Sequence, residues 1–372
     1  MHQDFLDRKL QERFQKNAYR HLQLATGKQD FFSNDYLGIA KSGLIEKALA
    51  GNSFSHGSTG SRLLAGNYPL IEETERVIAK FHDSPSALIF NSGYDANIGL
   101  LSCIAERGDT ILYDKLSHAS IRDGIRLSQG QAFSFAHNDL EDLKNKLRSK
   151  KGQCFVVTES VFSMDGDMAP VREMLALCES ADARLIVDEA HATGIVGNHG
   201  EGLIQYEALH HNCFARIVTF GKALGCHGAA ILSGELLRNY LINFSRSFIF
   251  TTALPPVAVA AIKTSYEIFP AMFAEREQLK ELINFFRQNR TIHTASGKTF
   301  AFKQSGTPIQ GLVVPGNEKV KAVANHLAAL EMDVRPILYP TVPEGEERLR
   351  IALHSFNTIE EAGKIISALK EI

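Results

Sequence analysis

Short, unbroken apolar runs recur through the middle of this chain with helix-length segments between most of them, and that rhythm leaves few folds open. Ser86-Ala-Leu-Ile-Phe90, Thr110-Ile-Leu-Tyr113, Cys154-Phe-Val-Val-Thr158, Arg184-Leu-Ile-Val187, Arg216-Ile-Val-Thr219 and Ala229-Ala-Ile-Leu232 are such runs. Strands that lack polar alternation are buried on both faces. Helices are expected over residues 71–81 and 95–106. The fold class is therefore α/β, a mostly parallel sheet covered on both sides.

Around this centre, residues 4–24 read as an amphipathic helix. Residues 32–61 are rich in Gly, Ser and Asn and are expected to be mostly loop. Beyond residue 265 the rhythm changes to long charged helices over 271–289 and 317–331. Strands are expected over 311–314 and 348–351, the marks of a smaller α+β domain. A chain of 372 residues suits this division. The boundaries are drawn as 1–44, a helix and segment packing with the small domain; 45–265, the large domain; and 266–372, the small C-terminal domain.

Composition excludes several partners. Lys plus Arg is 40 and Asp plus Glu is 42, a formal charge of −2, so nothing in the charge calls for nucleic acid or an anionic membrane. Hydrophobic residues at 44% are enough for a sizeable core, which excludes bulk disorder. Cys103, Cys154, Cys178, Cys213 and Cys226 are odd in number, widely spaced and free of CxxC pairs. Reduced thiols and a cytoplasmic location are expected, with no metal. The apolar run over 251–262 is too short to span a bilayer.

Chemistry in such sheets collects past the carboxyl ends of the strands. After Phe90 comes Asn91-Ser-Gly-Tyr-Asp95, a turn that opens a helix and offers free N–H groups to a phosphate. Read alone, it is better taken as an ordinary turn capped by Ser92. After Val187 comes Asp188-Glu-Ala-His191. This string also occurs in nucleotide-driven motors, but those need G-x-x-x-x-G-K-[ST], and at Gly221-Lys222 the next residue is Ala223 and Arg216 replaces the first glycine. The motor is excluded. Lys222 is the only formal charge between Ile217 and Gly234. A lysine among apolar and small residues loses solvation, and its lowered pKa makes it a nucleophile and base. The alternative is a lysine in a mobile glycine-rich turn that reaches water. A phosphate cup, an acid and an apolar-embedded lysine together match the needs of pyridoxal 5′-phosphate.

Ser33-Asn-Asp-Tyr-Leu-Gly38, Gly57-Ser-Thr-Gly-Ser-Arg62, Leu116-Ser-His-Ala-Ser120, Phe135-Ala-His-Asn-Asp139, Val161-Phe-Ser-Met-Asp-Gly-Asp167, Asp188-Glu-Ala-His-Ala-Thr-Gly194 and Thr219-Phe-Gly-Lys222 resemble, in order, the motifs of the α-oxoamine synthase family. The resemblance runs from about residue 20 to 354 and is strongest to the family's branch in biotin biosynthesis. It implies a fold type I, aspartate aminotransferase-like transferase, a homodimer with interface active sites, and pyridoxal 5′-phosphate. It further implies that Lys222 holds the cofactor and serves as the Cα base, Asp188 pairs with the ring nitrogen, and His118 stacks on the ring. Ser163 and His191 would bond the ring hydroxyl region, Ser92, Gly93 and Tyr94 would form the phosphate turn, and Thr219 would bond the phosphate. Arg350 would take the amino acid carboxylate, and Arg20 and Thr341 would contact substrate.

The implied reaction joins L-alanine to pimeloyl-CoA or a pimeloyl-acyl carrier protein with loss of CO2. In one departure, Leu338 stands where some relatives carry an arginine before Tyr339-Pro-Thr-Val-Pro343, and Arg335 is a candidate replacement. Two other readings are weighed: a glycine C-acetyltransferase or a serine-condensing relative, and a catalytically silent relative, against which the presence of Lys222 speaks.

Overall fold

A computed structural model of the chain describes residues 4–22, 24 and 27–372. It divides into two compact units. The larger comprises Leu37–Ser163 and Met168–Arg276; the other comprises the residues up to Tyr36, Met164–Asp167 and Glu277–Ile372.

The larger unit is built on seven strands: β1 (Ser86–Phe90), β2 (Thr110–Asp114), β3 (Gln131–Phe135), β4 (Cys154–Glu159), β5 (Arg184–Asp188), β6 (Ala215–Thr219) and β7 (Ala229–Ser233). Their order across the sheet is β1-β7-β6-β5-β4-β2-β3. The pairs from β6 to β3 are parallel, while β7 runs antiparallel to both β1 and β6, so six strands share one direction. β1, β4, β6 and β7 are buried at every position, as continuous apolar strands require. Leu88, Ile111, Phe155, Val157, Ile186, Ile217 and Ile231 form one core with Ala96, Leu100 and Leu101 from the Gly93–Leu101 helix and Ile121 and Ile125 from the Ala119–Leu127 helix.

The smaller unit carries a three-stranded antiparallel sheet with Arg348–Ala352 at its centre, flanked by Ile309–Val313 and Arg335–Ile337. Its helices include Asn317–Ala329 and Ile359–Lys370, the latter opened by a capping box between Thr358 and Glu361.

Three local expectations change. The N-terminal helix covers Asp4–Gln15 rather than 4–24, because Asn17 takes a left-handed φ of 49° and breaks it; residue 23 lies outside the described residues. The stretch 32–61 contains two short helices, Ile39–Ser42 and Leu44–Leu49. β3 has no apolar run to announce it: four of its five residues are exposed and only Phe135 is buried, as suits an edge strand. Among the described residues no single helix is long and apolar enough to cross a membrane.

Candidate active site

Five of the six co-directional strands end at the same edge of the sheet and carry almost all the expected chemistry. β1 leads to Ser92, Gly93 and Tyr94, β2 to His118, β4 to Ser163, β5 to Asp188 and His191, and β6 to Thr219 and Lys222.

The turn after β1 forms a helix N-terminus. Ser92 is the N-cap: its Oγ accepts the Asp95 N–H at 3.0 Å and donates to Asp95 Oδ2 at 2.8 Å. The Gly93 and Tyr94 N–H groups belong to the first turn, where no carbonyl within the helix can pair them. A Cβ on Gly93 would come to 3.6 Å from Thr219 Oγ1, so the glycine keeps room between the helix end and Thr219. Thr219 is buried and donates to the Gly228 carbonyl at 3.2 Å. The Tyr94 ring is exposed, and its hydroxyl donates to Asp123 Oδ2.

Asp188 is the centre of a buried polar chain. Its Oδ2 accepts from Asn97 Nδ2 at 2.7 Å and its Oδ1 from the Ala190 N–H at 2.9 Å. Asn97 Nδ2 also donates to Ser120 Oγ at 3.0 Å, and Ser120 Oγ lies 2.8 Å from His118 Nδ1. The His118 N–H in turn donates to Glu159 Oε1 at 2.6 Å. Glu159 stands level with Asp188 in the β4–β5 register, which brings the chain of contacts back to its start. Burial, with the Asp188 charge second, pushes the Glu159 carboxyl up to about 8. Burial also lowers the His118 pKa; the Lys222 ammonium adds to this and the Asp188 carboxylate opposes it.

Lys222 is half-buried rather than enclosed. Its loop is pinned by backbone bonds: Phe220 N–H to Gly228 O at 2.9 Å, Cys226 N–H to Phe220 O at 2.8 Å and Gly225 N–H to Lys222 O at 2.9 Å. The loop also explains why the Asp188–Gly194 segment ends in glycine. Gly194 has a φ of +87°, and a Cβ there would fall 2.6 Å from the Ala223 methyl, next to Lys222. His191 is buried and Ser163 is half-buried. Glu189, beside Asp188, accepts the Ile204 N–H at 2.9 Å and sits 3.9 Å from Arg216; burial raises its carboxyl to about 7. It is a structural acid.

The remaining expected residues lie in the smaller unit. Arg350 is buried at the middle of the central strand; its Nη2 donates to Asn34 Oδ1 at 3.0 Å and to Tyr36 Oη at 3.3 Å. This explains why the Ser33–Gly38 segment belongs with Arg350: it cradles the guanidinium. Arg20 donates to Thr341 Oγ1 at 3.0 Å, so these two expected substrate contacts meet on the surface. Arg335 is committed elsewhere. It pairs with Asp333 through Nε and Nη2, each at 2.8 Å, and lies over the Phe32 ring at 4.6 Å, so one edge and one face of its guanidinium are already engaged.

Sequence reasoning missed Asn97, Ser120 and Glu159. Glu159 was open to discovery, since it is an acid at a strand's carboxyl end like Asp188. Asn97 was not, because it reaches Asp188 from the middle of a mostly apolar helix, where nothing in the local pattern marks it.

The donor set fits pyridoxal phosphate: first-turn helix N–H groups with no partner inside the helix, close to a buried hydroxyl, a buried carboxylate held by an amide and an N–H, and a lysine within the field of both His118 and Glu159. A sheet with its chemistry on one edge and a smaller α+β unit is the arrangement of fold type I pyridoxal phosphate-dependent transferases. A model described as aminotransferase class I and II matches residues 26–366, and the chain belongs to that family.

Its similarity can be stated more narrowly. An 8-amino-7-oxononanoate synthase of Lysinibacillus sphaericus is 39% identical over 346 residues, which cover 92% of this chain and 88% of the relative. Another from Emericella nidulans is 38% identical over 98% of this chain and 94% of its own. Among solved structures, a serine palmitoyltransferase of S. paucimobilis with bound PLP–myriocin superposes with a TM-score of 0.86 at 25% identity, covering 99% of this chain and 96% of that one. An 8-amino-7-oxononanoate synthase from Francisella tularensis does so with a TM-score of 0.78 at 28% identity, covering 93% and 98%.

Proposed function

We propose that this chain is a pyridoxal phosphate-dependent acyltransferase that condenses L-alanine with a pimeloyl thioester, carried by CoA or acyl carrier protein, to give 8-amino-7-oxononanoate, CO2 and the free thiol in biotin biosynthesis. The observation that carries this reading is 38–39% identity to 8-amino-7-oxononanoate synthases over almost the full length of both chains. Serine palmitoyltransferases share the fold at 25% identity, which supports the same reaction class with another amino acid and acyl chain.

The cofactor supplies an electron sink for the charge left when the amino acid loses its Cα proton. This chain's residues do the rest. Gly93, Tyr94, Ser92 and Thr219 hold the phosphate at the helix N-terminus, where the dipole favours an anion. The Asp188 carboxylate holds a proton on the ring nitrogen, and Asn97 fixes its orientation. His118 would lie against the ring, and Ser163 and His191 would bond its hydroxyl. Lys222 Nζ anchors the cofactor and takes the Cα proton. Arg350 receives the alanine carboxylate, and the exposed Arg20–Thr341 pair receives the acyl substrate. The enzyme works as a homodimer in the cytoplasm.

A substrate screen with product mass tests the proposal. L-Alanine with pimeloyl-CoA or pimeloyl-acyl carrier protein should yield 8-amino-7-oxononanoate. Turnover with glycine and acetyl-CoA alone, or with serine and palmitoyl-CoA alone, would replace the reading with that relative's reaction. A protein that stays colourless with added cofactor would end the enzymatic reading.

A further inference from the structure

The turn after the Pro69–Phe81 helix and the turn before β6 place three metal-capable side chains together. Among the described residues, Asp83, His210 and His211 are the only group of three or more whose donor atoms all lie within 4.8 Å of one another. Asp83 Oδ2 is 2.9 Å from His210 Nε2 and 3.4 Å from His211 Nε2. The two imidazole centroids are 4.1 Å apart.

The 3.4 Å spacing is that of a coordination edge, and the other donors lie close enough to share one ion. In a tetrahedral site with metal–ligand bonds of about 2.0–2.2 Å, neighbouring donors stand roughly 3.3–3.6 Å apart. One ordinary hydrogen bond accounts for the 2.9 Å contact, but 3.4 Å is beyond the usual N–H···O range, so the second imidazole is held beside the carboxylate without bonding it. All three donors ride on pinned backbone. Asp83 has a left-handed φ of 43°, and Ser84 N–H closes onto Ala79 O at 2.9 Å. Leu209 N–H bonds Ile204 O at 2.9 Å and Cys213 N–H bonds Leu209 O at 3.2 Å, on either side of the histidines. The His210 side chain is only 11% exposed, so its aim is set by packing.

We propose that Asp83, His210 and His211 bind one divalent transition-metal cation of the imidazole-preferring class, Zn2+, Ni2+ or Cu2+, with water completing the shell. Two neutral imidazoles and a carboxylate are the donors such ions select. The cation would staple the end of the Pro69–Phe81 helix to the turn that leads into β6. Affinity should be moderate: His210 Nδ1 is buried without a partner, and the outer hydrogen bond that normally orients a ligating histidine is worth about 10–100-fold in binding. None of the three residues belongs to the proposed cofactor or substrate site, so the inference stands or falls independently of the catalytic reading.

The test uses the cofactor-loaded full chain and Ni2+ alone, a probe matched to imidazole rather than thiol. Titration calorimetry should show one saturable Ni2+ per chain. His211→Ala and Asp83→Asn should each weaken it by about tenfold or more, and added Ni2+ should raise the melting temperature of the parent but of neither variant. His199→Ala, at another exposed histidine, should bind like the parent. No saturable binding below about 1 mM, equal binding in the His211 and Asp83 variants, or loss of binding in the His199 variant would each overturn the proposal.

Discussion

At residue scale, the decisive groups are few and their effects separable. Lys222→Ala removes the proposed Cα base, so turnover should fall by about 10²–10⁴-fold or more while circular dichroism stays that of the parent; near-normal activity would refute the role. Arg350→Leu removes a charged donor, so the KM for alanine should rise by about 10- to 100-fold, read by steady-state kinetics with the acyl substrate saturating.

Glu159 makes a different prediction, about pH. Its carboxyl is raised from 4.5 to about 8 in the fold, so between those values the folded chain holds a proton that the unfolded chain releases. Its contribution to stability is therefore complete below about pH 4.5 and is lost as pH rises towards 8. Urea unfolding of the cofactor-free protein should show stability falling across that window, and Glu159→Gln should flatten the fall by up to about 1.4 kcal/mol per pH unit. Parallel pH profiles for parent and variant would contradict the assignment.

At the scale of elements, the site depends on where each strand stops and what the next turn permits. The close approach of Gly194 to Ala223 joins the turn after β5 to the Lys222 loop. Gly194→Val combines left-handed strain with a clash, and should cost about 3 kcal/mol, measured as a fall in the denaturation midpoint with lower cofactor occupancy. The strands themselves were legible. β1 is read at its actual limits and β4–β7 to within one residue at each end, because a strand buried on both faces must be apolar without interruption. β3 was not legible, since an edge strand with one buried side chain carries no such signal. The helix expected over 4–24 ran too far because an amphipathic pattern does not reveal the left-handed residue that ends it.

For the whole molecule, the prediction concerns the proposed homodimer. Leu64 is 82% exposed and Phe250 71% exposed, both in the larger unit, and a partner that covered them would bury apolar area. Light scattering on purified protein should give twice the chain mass at micromolar concentration; a monomer would rule the dimer out.

The order of the apolar runs and the residues that follow them determined, from sequence alone, the α/β class and marked the Ser92–Gly93 turn, Asp188 and Lys222 as candidates; the remainder of the proposed cofactor cluster followed from the motifs' resemblance to a family. The class and those candidates were legible because a doubly buried strand and the turn past its carboxyl end are both local in the chain. Tertiary structure alone decided the rest. Asn97 reaches Asp188 across 91 positions and Arg350 reaches Asn34 across 316. Arg335 is taken up by Asp333 and Phe32, and Asp83 meets two histidines more than a hundred residues away. No pattern along the chain encodes these meetings, because each is set by how separate elements pack and register in space.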